Sequence, residues 1–292
     1  MEKPIFTGVC TALVTPFSDG EVDYSTFRRL IDRQLDAGID AICVAGTTGE
    51  AATLSDGERE RLLAVALEGV DGRIPVIAGV GSNSTTRAVA LARRALAGGA
   101  DAALAVAPYY NRGTNDGIVK HYHAIADAGL PVIVYNVPGR TGVDLSVESY
   151  RRIAVHPGIA GVKEAGDGYD RLSDYFAAFG DSLPLYTGCD AAILPAVALG
   201  ASGAVSVISN LFPGETRDLY LAAARGDLVS ARRMSFLRLP LIRALFAETN
   251  PAPIKRAMEL AGLCGGELRL PLSPVGRELS DRLADLLGMN RS

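Results

Sequence analysis

Gly98-Gly99-Ala100-Asp101-Ala102 leads from a segment of helical periodicity into a short apolar run, Ala102–Ala107, which ends at Pro108-Tyr109-Tyr110-Asn111. The same order recurs at Ala37-Gly38-Ile39-Asp40-Ala41 and at Leu199-Gly200-Ala201-Ser202-Gly203. In each, glycine can close a helix in the left-handed conformation before the chain enters a strand. Working outward, short runs rich in Val, Ile and Ala alternate with longer helical segments, the pattern of repeated βα units around a parallel sheet. Eight strands are expected, at Val9–Thr15, Ala41–Ala45, Val76–Gly79, Ala102–Ala107, Val132–Asn136, Gly161–Glu164, Leu185–Thr187 and Ala204–Val207. Ser55 with Glu58 three residues on has capping-box spacing and should open the second helix.

Eight such units close most naturally into a (β/α)8 TIM barrel, with an open doubly wound sheet as the alternative from pattern alone. A barrel needs about 250 residues, so 292 leave room for an extension. After the eighth strand the alternation stops and helices are expected at Gly214–Arg225, Leu228–Phe246, Pro253–Leu260 and Arg277–Leu287, Pro251 and Pro253 separating two of them. The expected organisation is a catalytic barrel over residues 1–225 and a C-terminal helical extension over 226–292.

With 48% hydrophobic and 21% charged residues, the chain fits a folded globular class and neither disorder nor a collagen-like repeat. A formal charge of −4 with scattered basic residues argues against nucleic acid as a partner. No apolar run reaches membrane-spanning length and the start Met1-Glu2-Lys3-Pro4 lacks a signal-peptide core, so a cytoplasmic protein without a membrane partner is expected. Cys10, Cys43, Cys189 and Cys264 lie far apart and read as reduced, mostly buried thiols. His121 and His123, two apart on a helix, face different ways, and with His156 they make no metal-ligand pattern; neither metal nor cofactor is expected.

Four lysines occur, at positions 3, 120, 163 and 255. Lys3 is terminal, and Lys120 and Lys255 fall on amphipathic helices whose charged heads should reach water. Lys163 sits instead in the apolar strand Ile159-Ala160-Gly161-Val162-Lys163-Glu164-Ala165. Desolvation there favours an uncharged, nucleophilic amine, while the bland reading is a lysine paired with an acid such as Glu164. Position favours chemistry, because the other polar clusters also fall at carboxyl ends of strands, the face on which barrel enzymes build their sites. These are Gly46-Thr47-Thr48-Gly49-Glu50, Pro108-Tyr109-Tyr110-Asn111, Tyr135-Asn136-Val137-Pro138-Gly139-Arg140-Thr141 and Thr187-Gly188. The Thr47-Thr48 turn offers hydroxyls and open amides for a small carboxylate, and the tyrosines offer phenols for proton relay.

Through these residues, and through Val14-Thr15-Pro16-Phe17, Ile74-Pro75-Val76-Ile77-Ala78-Gly79, Val162-Lys163-Glu164-Ala165, Glu248-Thr249-Asn250-Pro251 and Leu268-Arg269-Leu270-Pro271, the chain resembles the dihydrodipicolinate synthase and N-acetylneuraminate lyase superfamily nearly end to end. Arg140 places the resemblance on the synthase side, where an arginine after the Tyr-Asn-Val-Pro turn receives the second substrate's carboxylate. The resemblance implies a lyase of the class I aldolase type. Lys163 would form a Schiff base with pyruvate, whose enamine attacks L-aspartate 4-semialdehyde in the diaminopimelate route to lysine. Tyr135 would donate and accept protons, with Thr47 and Tyr110 completing the relay. Thr48 would hold the pyruvate carboxylate, and Gly188 and Val205 would line the pocket. Tyr110 would reach a neighbouring subunit's site, within a homotetramer built as a dimer of dimers.

Two departures from the family pattern are visible. Cys189 stands where many synthases carry an acid. In lysine-inhibited members the interface effector site carries a histidine or other polar residue where Asp56 and Arg59 stand and an acid where Arg87 stands; an arginine there should repel a lysine effector, so lysine inhibition should be weak or absent. The competing readings are a related aldolase or dehydratase acting on N-acetylneuraminate or a 2-keto-3-deoxy sugar acid, and a catalytically silent barrel that binds a keto acid.

Overall fold

The strands expected from the alternation form one closed barrel in the computed structural model, which describes residues 4–166 and 168–289. In chain order the strands are β1 (Gly8–Ala12), β2 (Phe17–Ser18), β3 (Glu21–Val22), β4 (Ala41–Val44), β5 (Val76–Gly79), β6 (Ala102–Val106), β7 (Val132–Asn136), β8 (Ile159–Glu164), β9 (Leu185–Thr187) and β10 (Gly203–Ser206). All but β2 and β3 pair in parallel around the ring, which closes where β1 meets both β10 and β4. The (β/α)8 barrel is therefore the fold, and the open sheet is set aside. β1 ends three residues earlier than expected because Leu13 donates to the Cys43 carbonyl whereas Val14 turns to the Asn210 side chain. The hairpin β2–β3 was not anticipated, although Asp19-Gly20, both at positive φ, is a turn pair that suits a two-residue hairpin.

The repeated glycines behave as the sequence suggests: Gly38, Gly99 and Gly200 all have positive φ and follow helices. The acids beside them have a further task. Asp40 accepts from the Val9 amide at 2.9 Å and Asp101 from the Val76 amide at 2.7 Å, so each aspartate ties its own strand to the start of the adjacent one. The capping box is present, with Ser55 opening helix Asp56–Val70 and Glu58 bonding back to its amide.

Three apolar clusters organise the packing. One lies between strands and surrounding helices. A second fills the barrel interior, where Cys10, Cys43, Ile77, Leu104, Ile133 and Val205 meet beneath Tyr135 and the base is closed by Phe6 stacked on Tyr186 at 4.2 Å. The third joins helices Leu228–Leu245, Ala252–Leu260 and Arg277–Leu286 to Val14, Val207, Ile208 and Leu211. The helical extension thus packs on loops that follow β1 and β10, at the carboxyl ends of the strands, and shares a core with them. Among the described residues, no helix is long and apolar enough to cross a membrane.

Candidate active site

Strand alternation separates the two adjacent charged residues of β8. Glu164 faces away from the barrel axis, where its carboxylate accepts from the Tyr150 hydroxyl at 2.6 Å, from Asn136 Nδ2 at 3.1 Å and from the Gly166 amide at 2.6 Å, with Arg171 at 3.5 Å. Lys163 points inward and forms no ion pair with any described residue. The alternative of a Lys163–Glu164 pair is excluded by this geometry. Lys163 is 6% exposed, and its Nζ lies 4.0 Å from the ring centroid of Tyr135, the residue opposite it on β7.

Gly188 follows β9 and makes room for that lysine. A methyl group there would stand 2.9 Å from Lys163 Cε and 2.7 Å from Ala165 Cβ, closer than carbon atoms pack. Beneath lie Cys10 and Cys43, whose thiols burial pushes upward, Cys43 to about 11; they remain protonated and do not compete with an amine as nucleophiles. Val205 belongs to the same buried layer.

The loop after β4 carries the threonines. Ala45 at its start (φ 50°) and Glu50 at its end (φ 54°) are both non-glycine residues in the left-handed region. Between them the Glu50 amide donates to the Thr47 carbonyl at 3.1 Å. Thr47 borders the cleft, whereas Thr48 is buried and its hydroxyl accepts from Asn250 Nδ2 at 3.0 Å. Asn250 also accepts, through its backbone carbonyl, from Arg140 Nη2 at 2.8 Å. Arg140 itself projects from the turn Pro138–Thr141 after β7.

One reading from sequence is corrected here. Lys255 does not reach water: its side chain is fully buried, and Nζ donates to Glu50 Oε1 at 2.7 Å and to the Thr15 carbonyl at 2.9 Å. Burial pushes the Lys255 ammonium downward, and the Glu50 carboxylate opposes that shift. Helical periodicity could not reveal this, because the partner lies 205 residues away. Likewise the four cysteines are less uniformly buried than expected, since Cys189 is exposed and Cys264 intermediate.

A solvent-open cleft of about 300 Å³ brings together Thr47, Tyr135 and Arg140 with Tyr109, Asn250 and Arg59. Lys163, Thr48, Gly188 and Val205 lie behind this lining, Lys163 reaching it through contact with Tyr135. Tyr110 is not brought in. It is 88% exposed, at φ 71°, next to Tyr109 in the loop after β6. Asn250 and Lys255 are site neighbours that motif reading did not assign a role, and Arg59, compared there only with an effector position, also borders the cleft. Among the described residues, no three His, Cys, Asp or Glu side chains converge as a metal site would require. His121 and His123 do diverge, to Thr85 Oγ1 and to backbone carbonyls near Ile153 respectively.

A buried lysine without an ion pair to any described residue, beneath a tyrosine at the carboxyl end of a barrel, suits amine chemistry, and known proteins share nearly the whole chain around it. The model of the dihydrodipicolinate synthetase family matches residues 5–289. A 4-hydroxy-tetrahydrodipicolinate synthase of Pelobacter propionicus is 46% identical over 273 residues, 93% of this chain and 94% of that protein. The crystal structure of dihydrodipicolinate synthase from Aquifex aeolicus superposes with a TM-score of 0.95 at 41% identity, covering 98% of each chain. That of the chloride-inhibited enzyme from Acinetobacter baumannii, complexed with pyruvate, gives a TM-score of 0.94 at 38% identity over 97% of this chain and 98% of the other. With the match running from the first barrel strand through the last helix, this chain belongs to the dihydrodipicolinate synthetase family.

Proposed function

We infer that this chain is a lyase that condenses pyruvate with L-aspartate 4-semialdehyde, giving 4-hydroxy-tetrahydrodipicolinate for lysine formation by the diaminopimelate route. The observation that carries the reading is Lys163 itself, inward-facing, without a described acidic partner and 4.0 Å from the Tyr135 ring. Its amine adds to C2 of pyruvate, and loss of water leaves an imine. Removal of a C3 proton gives an enamine, whose C3 bonds to the aldehyde carbon as the aldehyde oxygen takes up a proton. The second substrate's amine then attacks the imine carbon, closing the ring and releasing Lys163 unchanged.

In this reading Tyr135 donates and accepts these protons, with Thr47 in the same cleft and Tyr110 of the partner subunit completing the relay. The exposure and left-handed backbone of Tyr110 support such a projecting role and, with it, a homotetramer built from dimers. Thr48 and its loop hold the pyruvate carboxylate, Gly188 and Val205 shape the pocket, and Arg140 at the cleft rim takes the carboxylate of the aldehyde substrate, for which its planar fork is suited. The barrel, residues 1–225, supplies the chemistry, and the extension, 226–292, supplies Asn250 beside Thr48 and Arg140. Buried thiols at Cys10 and Cys43 support a reducing, cytoplasmic setting.

The test is the initial rate with pyruvate and L-aspartate 4-semialdehyde, run beside Lys163→Ala and beside N-acetylneuraminate cleavage, together with borohydride trapping of pyruvate. Condensation lost in Lys163→Ala is expected. Pyruvate trapped on Lys163 without condensation would move the chain to a sugar-acid aldolase.

A further inference from the structure

The Gly46–Glu50 loop is held from four directions, three of them in the helical extension. Asn250 donates to Thr48, Lys255 to the Glu50 carboxylate, and the Arg269 amide to the other Glu50 oxygen at 3.1 Å. The fourth tie is Thr15 Oγ1 to the Gly49 carbonyl at 2.7 Å. Gly49 is packed so tightly that a Cβ would stand 3.1 Å from the Leu13 carbonyl. The Glu50 and Lys255 side chains are both wholly removed from water, and Lys255 Nζ also lies 4.2 Å from the Phe17 ring centroid.

Such a pair has a cost. Two desolvated charges are commonly no more stabilising than apolar side chains of the same volume. What apolar packing cannot supply is direction: Glu50 sits at φ 54°, a conformation that persists only where the surroundings over-determine it. One carboxylate oxygen fixed by Lys255 and the other by the Arg269 amide supply that determination, and Glu50, so fixed, lies two residues after Thr48.

We propose that Glu50 and Lys255 are positioning residues for pyruvate: their buried ion pair holds the Gly46–Glu50 loop in the shape that receives the pyruvate carboxylate. The inference rests on the assignment of that loop to pyruvate. Glu50 borders the cleft, but the side chains of the pair are fully buried, so the pair acts through the loop it holds. Because the loop would grip the carboxylate alike before and during the reaction, disturbing it should act chiefly on KM for pyruvate.

The experiment uses full-length Glu50→Gln, Lys255→Met and the double variant. Each single change strands the remaining buried group and should lower thermal stability. The double variant removes both charges and should regain stability, yet its pyruvate KM should stay about tenfold or more above wild type, with a smaller change in kcat and an unchanged KM for the aldehyde. A stable double variant with wild-type pyruvate KM would overturn the proposal, because the pair would then be structural only. If these variants do not fold, hydrogen exchange on the unaltered enzyme decides. Slow amides across 46–50 without pyruvate support a preset loop, and fast amides that slow only on adding pyruvate overturn it. Borohydride trapping on wild type separates the two layers: no trapped pyruvate removes the functional reading and the proposal with it, whereas normal trapping with an unshifted KM in the double variant removes the proposal alone.

Discussion

Lys163 Nζ lies 4.0 Å from the centroid of the Tyr135 ring, and the two residues are register partners on neighbouring parallel strands. The backbone pairing therefore brings the two side chains to the same face of the barrel, where packing sets the amine against the aromatic ring. With Tyr135 as proton carrier, Tyr135→Phe should keep the ring contact and lose the phenol. The expected result is a kcat lower by roughly 10²-fold or more, with pyruvate still trapped slowly on Lys163, checked by steady-state kinetics and borohydride trapping.

Gly188→Ala tests the space that Lys163 occupies. The added methyl would meet Lys163 Cε at 2.9 Å and Ala165 Cβ at 2.7 Å, so either the lysine or the strand end must move. Overpacking of this kind costs about 1–3 kcal/mol. Both the thermal midpoint and the rate of pyruvate trapping should fall; unchanged trapping would show that Lys163 is freer than its packing indicates.

Arg140→Ala should separate the two substrates. Losing a charge-assisted bond worth about 1.5–3 kcal/mol should weaken apparent binding of L-aspartate 4-semialdehyde by roughly 10- to 100-fold. Pyruvate trapping should be preserved. Arg140→Lys should recover little, because an ammonium cannot present two parallel donors.

Lysine should inhibit weakly or not at all. Arg87 is turned onto Asp56, bonding it through both terminal guanidinium nitrogens, and Arg94 approaches the same carboxylate at 3.8 Å. The acid in this group is thus already engaged by cations, which leaves an incoming ammonium facing arginines. An inhibition curve at millimolar lysine that showed strong loss of activity would sink the idea.

Acid should loosen the tie between barrel and extension at Glu58. The Arg269 guanidinium, 2.6 Å from Glu58 Oε1, holds the Glu58 carboxyl at about 2 against an ordinary 4.5, with the Ser55 amide adding to the effect. A carboxyl lowered in the folded state stabilises above its unfolded value, and that stability disappears as pH falls from about 4.5 through about 2. Glu58→Gln should therefore cost about 1–2 kcal/mol at pH 7 and progressively less below pH 4, read as the gap between wild-type and variant thermal midpoints.

The sequence by itself determined the eight strands and the polar clusters at their carboxyl ends, while closure of the sheet into a barrel was decided by the structure. Glycine-punctuated alternation located all eight barrel strands to within a few residues, because local periodicity and turn chemistry act over a handful of positions. It also singled out Lys163, since a lysine in an apolar strand is an anomaly visible without coordinates. Only the tertiary structure decided where the charges went. It turned Glu164 outward to Tyr150 and Asn136, left Lys163 without an ion pair to a described residue, buried Lys255 against Glu50 and set Asn250 on Thr48, 202 residues away. Tyr110, as conspicuous in the sequence as Tyr135, was left outside the cleft of its own chain. Such pairings depend on which loops the closed barrel brings face to face, and no local pattern encodes the partner of a charge at that separation.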